Sequence, residues 1–118
     1  MGRRGEDAVA QWYCARGYRV IARNWRCSDG ELDLVLVDDA TATLVCCEVK
    51  TRTSGAFGSP FEAITAVRLG RLRRLVGRYL ADARPSGLRP GRVRLDVAAV
   101  RPGPSGAAVV EVLEDAGA

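Results

Sequence analysis

Leu32-Asp33-Leu34-Val35-Leu36-Val37 and Leu44-Val45-Cys46-Cys47-Glu48-Val49-Lys50 are two strongly apolar runs, each interrupted by a carboxylate. Their length and β-branched content predict strands over 31–37 and 43–50, joined as a hairpin through Asp38-Asp39-Ala40-Thr41-Ala42. A carboxylate inside such a strand is costly unless it is hydrogen-bonded or paired. The period of two puts Glu48 and Lys50 on one face and turns Val49 away. With the hairpin paired in this register, Asp33 approaches that same face from the neighbouring strand.

The flanking sequence builds the rest of the fold. On the N-terminal side, Val9, Trp12 and Tyr13 at helical spacing predict a helix over 4–16 that stops at Gly17. Residues 18–25 alternate Tyr18, Val20 and Ala22 against Arg19, Ile21 and Arg23, the pattern of an edge strand, and Ser28-Asp29-Gly30 reads as a turn. On the C-terminal side, residues 52–58 read as a loop. Ser59 as cap, Pro60 at the first position and Glu62 then predict a helix running to about 83. Ile64, Leu72, Leu75, Val76, Tyr79 and Leu80 would form its apolar stripe. Strands follow over 92–100 and, more weakly, 109–113. The expected fold is a mixed α/β layer of order α-β-β-β-α-β(-β), one domain over 1–118, with 102–118 an extension that can add a strand.

Composition narrows the chemistry. The chain has 118 residues, 47% hydrophobic and 27% charged, as in an ordinary folded protein. No apolar run approaches the ~20 residues of a membrane helix. Basic residues near the N-terminus have no apolar stretch behind them, so no signal peptide is expected and a cytoplasmic location is. Cysteines 14, 27, 46 and 47 are not spaced as a zinc pair and fit reduced, packed thiols. There is no histidine, which removes Ser-His and Cys-His catalysis and most transition-metal sites. A metal held by this chain must rest on carboxylates and carbonyls, a donor set suited to Mg²⁺, Mn²⁺ or Ca²⁺.

Seventeen cationic residues are arginine and one, Lys50, is lysine. An ammonium can act as a point charge beside a reacting phosphate. Asp33 and Glu48, with the carbonyl of Val49, would make an open oxygen-ligand site for Mg²⁺ or Mn²⁺, and Lys50 would orient a water or offset charge on phosphorus. The plain alternative is a Glu48–Lys50 ion pair at a strand end with Asp33 capped by an arginine.

The stretches Gly5-Glu6-Asp7-Ala8, Gly17-Tyr18, Arg23-Asn24-Trp25-Arg26, Gly30-Glu31-Leu32-Asp33-Leu34-Val35 and Glu48-Val49-Lys50-Thr51-Arg52 favour the first reading. With Ala63-Ile64-Thr65 and Arg94-Leu95-Asp96-Val97, they resemble in order and spacing the YraN-like family of small bacterial proteins, over roughly residues 2–100. That family is similar to the restriction-endonuclease-like, or PD-(D/E)XK, superfamily, which includes Holliday-junction resolvases. The resemblance implies a restriction-endonuclease-like mixed sheet flanked by helices. It implies metal binding for Asp33 and Glu48, a catalytic role for Lys50, and a supporting helix glutamate in Glu6. Resolvase-like relatives also imply a homodimer, since two sites must address two strands. Three positions depart from the pattern: Leu32 stands where proline is found, and Arg68-Leu69 stand where relatives carry lysine then glutamine.

Arg68, Arg71, Arg74 and Arg78 recur every three or four residues with no acidic counterpart until Asp82. Such a row suits phosphate contacts. Arg52 should lie near the lysine, contacting substrate or pairing with Glu31. Asp96 is expected to pair with Arg94. The resulting expectation is a Mg²⁺- or Mn²⁺-dependent nuclease acting on DNA, with no membrane partner. Its rivals are a non-catalytic nucleic-acid-binding module of the same fold and a protein-interaction domain.

Overall fold

The computed structural model describes residues 3–52 and 64–116. Helix α1 (Arg3–Cys14) is followed by β1 (Arg19–Cys27), β2 (Gly30–Asp38) and β3 (Thr43–Thr51). Helix α2 (Ala66–Asp82), β4 (Arg92–Pro102) and β5 (Ala108–Leu113) complete the order α-β-β-β-α-β-β. The five strands form one mixed sheet in sequence order. β3 and β4 run parallel and the other neighbours are antiparallel. A parallel pair needs a long crossover, and the chain from β3 to β4 supplies one that contains α2.

The two helices cover opposite faces of the sheet. Val9, Ala10 and Tyr13 of α1 pack with Leu34, Leu36, Val45, Cys47 and Val49. Leu72, Leu75, Val76 and Tyr79 of α2 pack with Val35, Val37, Leu44 and Cys46. A strand buried on both faces needs apolar side chains at odd and even positions alike, which is why β2 and β3 read as continuous runs. Cys46 and Cys47 fall on opposite faces, both buried and unbridged. Among the described residues, no helix is long and apolar enough to cross a membrane.

Two local expectations are corrected. β1 is an edge strand as expected, but its alternation slips at a register shift between Val20 and Ala22. Val20 therefore packs on the α1 side while Ile21 and Ala22 both pack on the α2 side. A bulge of this kind inserts one unpaired residue and re-aims the side chains beyond it.

The second correction concerns α2. An unbroken helix from 60 to 83 is excluded, because Ile64 and Thr65 are not helical. Thr65 is extended (φ −119, ψ 162), and its Oγ1 accepts the backbone N–H of Arg68. Thr65 is thus the true cap, and Ile64 lies before the apolar stripe. The Ser59-Pro60 start falls outside the described residues. Thr65→Ala should cost about 1 kcal/mol of stability, read from the shift in a urea unfolding curve.

The C-terminal extension adds β5 at the edge beside β4. Beyond it, the N–H groups of Asp115 and Ala116 donate to Asp96 Oδ1 and the Leu95 carbonyl.

Candidate metal centre

The start of β2, the end of β3 and the N-termini of both helices meet at one end of the sheet. Here the β2–β3 ladder, regular from Asp38↔Thr43 to Leu34↔Cys47, gives way. Beyond it, the Asp33 carboxylate takes the position of a strand acceptor, receiving the Val49 N–H at 2.8 Å on Oδ2. The side-chain alternation of β2 slips at the same place: Leu34 and Leu36 face α1, but Leu32 packs with the α2-side core. Asp33 thereby sits at the fork between two strands instead of on one face of the sheet.

Oxygens of Asp33, Glu6 and Glu31 all lie within 4.8 Å of one another. Glu6 is buried on the first turns of α1 and accepts a 3.0 Å hydrogen bond from Asn24 Nδ2. Asn24 reaches it from a left-handed backbone (φ 52), a conformation asparagine tolerates better than most residues. Glu31 is paired at 3.0 Å with the exposed Arg26. No cation pairs with Asp33 or Glu6 among the described residues. Burial pushes the Asp33 carboxyl up to about 6; the Val49 N–H opposes this, while the charges of Glu6, Glu31 and Glu48 add to it.

Glu48 and Lys50 share the α2 face, as the strand period requires. Glu48 is almost closed off from solvent and is held by Arg68, with Nη2 to Oε1 at 2.7 Å and Nε to Oε2 at 3.0 Å. Lys50 Nζ stands farther off, 3.6 Å from Oε1. An arginine in the first turn of α2 opposes the helix dipole, and the Glu48 carboxylate drawn to that turn compensates it. Glu48, Lys50, Arg52 and Arg68 line a cleft of about 320 Å³ with Thr51, Ile64 and Val97.

The residues expected at the site thus come together in two groups. Asp33 and Glu6 meet, joined by Glu31; Glu48 and Lys50 meet, joined by Arg68. The Val49 backbone links the groups through its N–H, and its side chain lies in the core on the α1 side. Glu31 is a member that sequence reasoning assigned elsewhere, as a partner for Arg52. Its placement two residues before Asp33 was the available signal. Asn24 was missed as well, and only its place in the Arg23-Asn24-Trp25-Arg26 stretch could have drawn notice.

Of the arginine row, Arg71 and Arg74 are exposed and make no ion pair among the described residues. Arg78 is engaged by Asp29 at 2.8 Å and Asp82 at 3.2 Å.

A known family matches this chain over residues 5–100, described as uncharacterised protein family UPF0102. The chain belongs to that family. A UPF0102 protein of Beutenbergia cavernae is 50% identical over 117 residues, covering 99% of this chain and 95% of that one. Another, from Mycolicibacterium gilvum, is 48% identical over 103 residues, covering 87% and 81%. A third, from Clavibacter michiganensis, is 45% identical over 116 residues, covering 98% and 94%. UPF0102, the YraN-like family, therefore spans both groups of site residues. Among solved structures, SfsA of Pyrococcus furiosus in complex with Ca²⁺ is similar with a TM-score of 0.41 and 14% identity, covering 90% of this chain and 59% of that one.

Proposed function

We propose that this UPF0102 protein is a divalent-metal-dependent nuclease that hydrolyses DNA phosphodiester bonds. The observation that carries the reading is the carboxylate group of Glu6, Glu31 and Asp33 at the strand fork, its Asp33 charge uncompensated by any cation among the described residues. Hard oxygen donors without histidine or thiolate fit Mg²⁺ or Mn²⁺. Asp33 and Glu6 would hold the ion, with Glu31 or Glu48 and the Val49 carbonyl as further ligands. When bound, such an ion supplies Lewis-acid polarisation of a phosphate oxygen and a more acidic water. Lys50 faces the cleft that also holds Arg52 and Arg68, where its ammonium can donate to a phosphate oxygen and offset developing charge. Arg71 and Arg74 would continue the phosphate track along α2.

The test is incubation with linear, single-stranded, flap and four-way DNA in Mg²⁺, Mn²⁺ or EDTA. Cleavage in either metal and none in EDTA is the expected result. Intact DNA under every condition, with salt-sensitive binding retained, would replace the reading by a non-catalytic binding module. The Glu48–Arg68 ion pair is the observation that favours that second reading. A reducing, cytoplasmic setting suits the four free thiols. A homodimer would bring two such sites to two strands, and sedimentation with four-way DNA would count the copies.

If the row binds DNA, Arg71→Ala combined with Arg74→Ala should weaken binding uniformly across sequences. The slope of log K against log salt should flatten by roughly 1–2, measured by fluorescence anisotropy over a salt series.

A further inference from the structure

We propose that Arg68 is a latch on Glu48 which a substrate phosphate opens, so that metal binding and phosphate binding reinforce each other. The proposal rests on the metal-site reading above.

In the free protein both carboxylate oxygens of Glu48 are engaged. Arg68 engages Oε1 at 2.7 Å and Oε2 at 3.0 Å, and the Lys50 ammonium adds its charge 3.6 Å from Oε1. A planar guanidinium set against both oxygens of a carboxylate is the strongest of the common ion-pair geometries. It competes directly with a cation for the same lone pairs. Asp33, a strand away, makes no such pair, so of the two expected strand ligands only Glu48 is withheld.

The same guanidinium can reach a phosphate. Arg68 is 30% exposed, whereas Glu48 is only 12% exposed. It lines the cleft with Glu48, Lys50 and Arg52, and also the outer surface with Thr65, Val67 and Arg71. Its side chain is therefore the wall between the interior carboxylate and the exposed arginine row. A phosphate seated on Arg71 presents oxygens that match the Arg68 fork as well as a carboxylate does. When Arg68 turns to that phosphate, Glu48 keeps Lys50 beside it and regains oxygens for a cation. Linkage then requires that each ligand tighten the other by the same factor.

A latch of this kind predicts a gain of function in binding. Mn²⁺ titrated alone, with free ion followed by its paramagnetic resonance signal, should bind Arg68→Gln about 5- to 100-fold more tightly than wild type. Arg68→Lys should fall between the two, because an ammonium cannot hold both oxygens. Arg68→Lys also retains the charge beside Glu48, so it decides the question if Arg68→Gln fails to fold. In the second arm, Ca²⁺ should tighten binding of a labelled 20-base-pair duplex more in wild type than in Arg68→Gln, where only the direct attraction of ion and phosphate remains. Wild-type Mn²⁺ binding that neither variant strengthens would overturn the latch alone, as would equal Ca²⁺ tightening in wild type and Arg68→Gln. No Mn²⁺ binding by any of the three proteins would overturn the latch and the metal reading together.

Discussion

Asp33→Asn should sharply reduce metal-dependent cleavage and at the same time make the metal-free protein more stable at neutral pH. The two effects have one cause. Burial and the charges of Glu6, Glu31 and Glu48 raise the Asp33 carboxyl from 3.8 to about 6. Between those values the folded chain holds a proton that the unfolded chain releases. Stability from this group is therefore fully present below about pH 4 and is lost as pH rises through about 6. At pH 7 the ionised carboxylate opposes folding by roughly 1–2 kcal/mol, once its partial exposure to solvent is allowed for. Asparagine removes the charge, and its Oδ1 can still accept the Val49 N–H that Asp33 Oδ2 accepts. The variant should unfold at higher urea than wild type at pH 7.5 in EDTA, and the difference should shrink toward pH 4.

A cation should reverse the order. Metal at 100 times its Kd would stabilise wild type by about 2.7 kcal/mol and leave Asp33→Asn where it was. Cleavage should fall by about 10²-fold or more, the scale of losing one charge-stabilising group at a reacting centre. A variant less stable than wild type at pH 7.5, or one still stabilised by Mn²⁺, would show that Asp33 is not the strained ligand of this site.

Asp96→Ala should cost about 3–5 kcal/mol, enough to threaten folding of a domain this small. Asp96 is fully buried. Its Oδ2 accepts from Tyr13 OH at 2.6 Å and Arg94 Nη2 at 2.9 Å; its Oδ1 accepts from Arg94 Nε at 2.9 Å and the Asp115 N–H at 3.0 Å. Arg94 Nη2 donates in turn to Tyr18 OH at 3.0 Å. The network ties α1, the residue just before β1, β4 and the C-terminal turn around one charge. Burial and the neighbouring Asp96 push the Tyr13 phenol far up, so it stays a donor at all working pH values. Removing the carboxylate takes the 2.6 Å acceptor from Tyr13 OH and leaves Arg94, itself nearly buried, with Tyr18 OH and, as its only carboxylate among the described residues, Glu114 at 3.8 Å. Replacing Arg94 and Asp96 together by apolar residues should cost less than Asp96→Ala alone, because no unpaired charge is left inside. Chemical denaturation of both single variants and the double variant checks the ordering; a double variant that costs the sum of the two singles would mean that the pair contributes no coupling.

How much of the molecule could be read beforehand depends on the range of the forces involved. Strands over 31–37 and 43–50 were legible because double-sided burial writes a continuous apolar run into the chain. The element order and the facing of Glu48 with Lys50 follow from local periodicity alone. The helix start was misjudged because Ser59-Pro60 and Thr65 both carry capping chemistry, and the sequence does not say which one a helix will use. Asp33 illustrates the other limit. Its chemistry was plain from its type and neighbours, but a bulge in β1, a slip in β2 and a fork in the ladder decided its company. Those irregularities turned it toward Glu6 and Glu31 and left Glu48 to Arg68, twenty residues away. Residue types and short-range spacing thus determined the fold class and the candidate ligands from sequence alone. Which carboxylates share a space, and which one an arginine occupies, was decided only by tertiary packing, because such pairings depend on ångström-scale offsets between elements that no local pattern encodes.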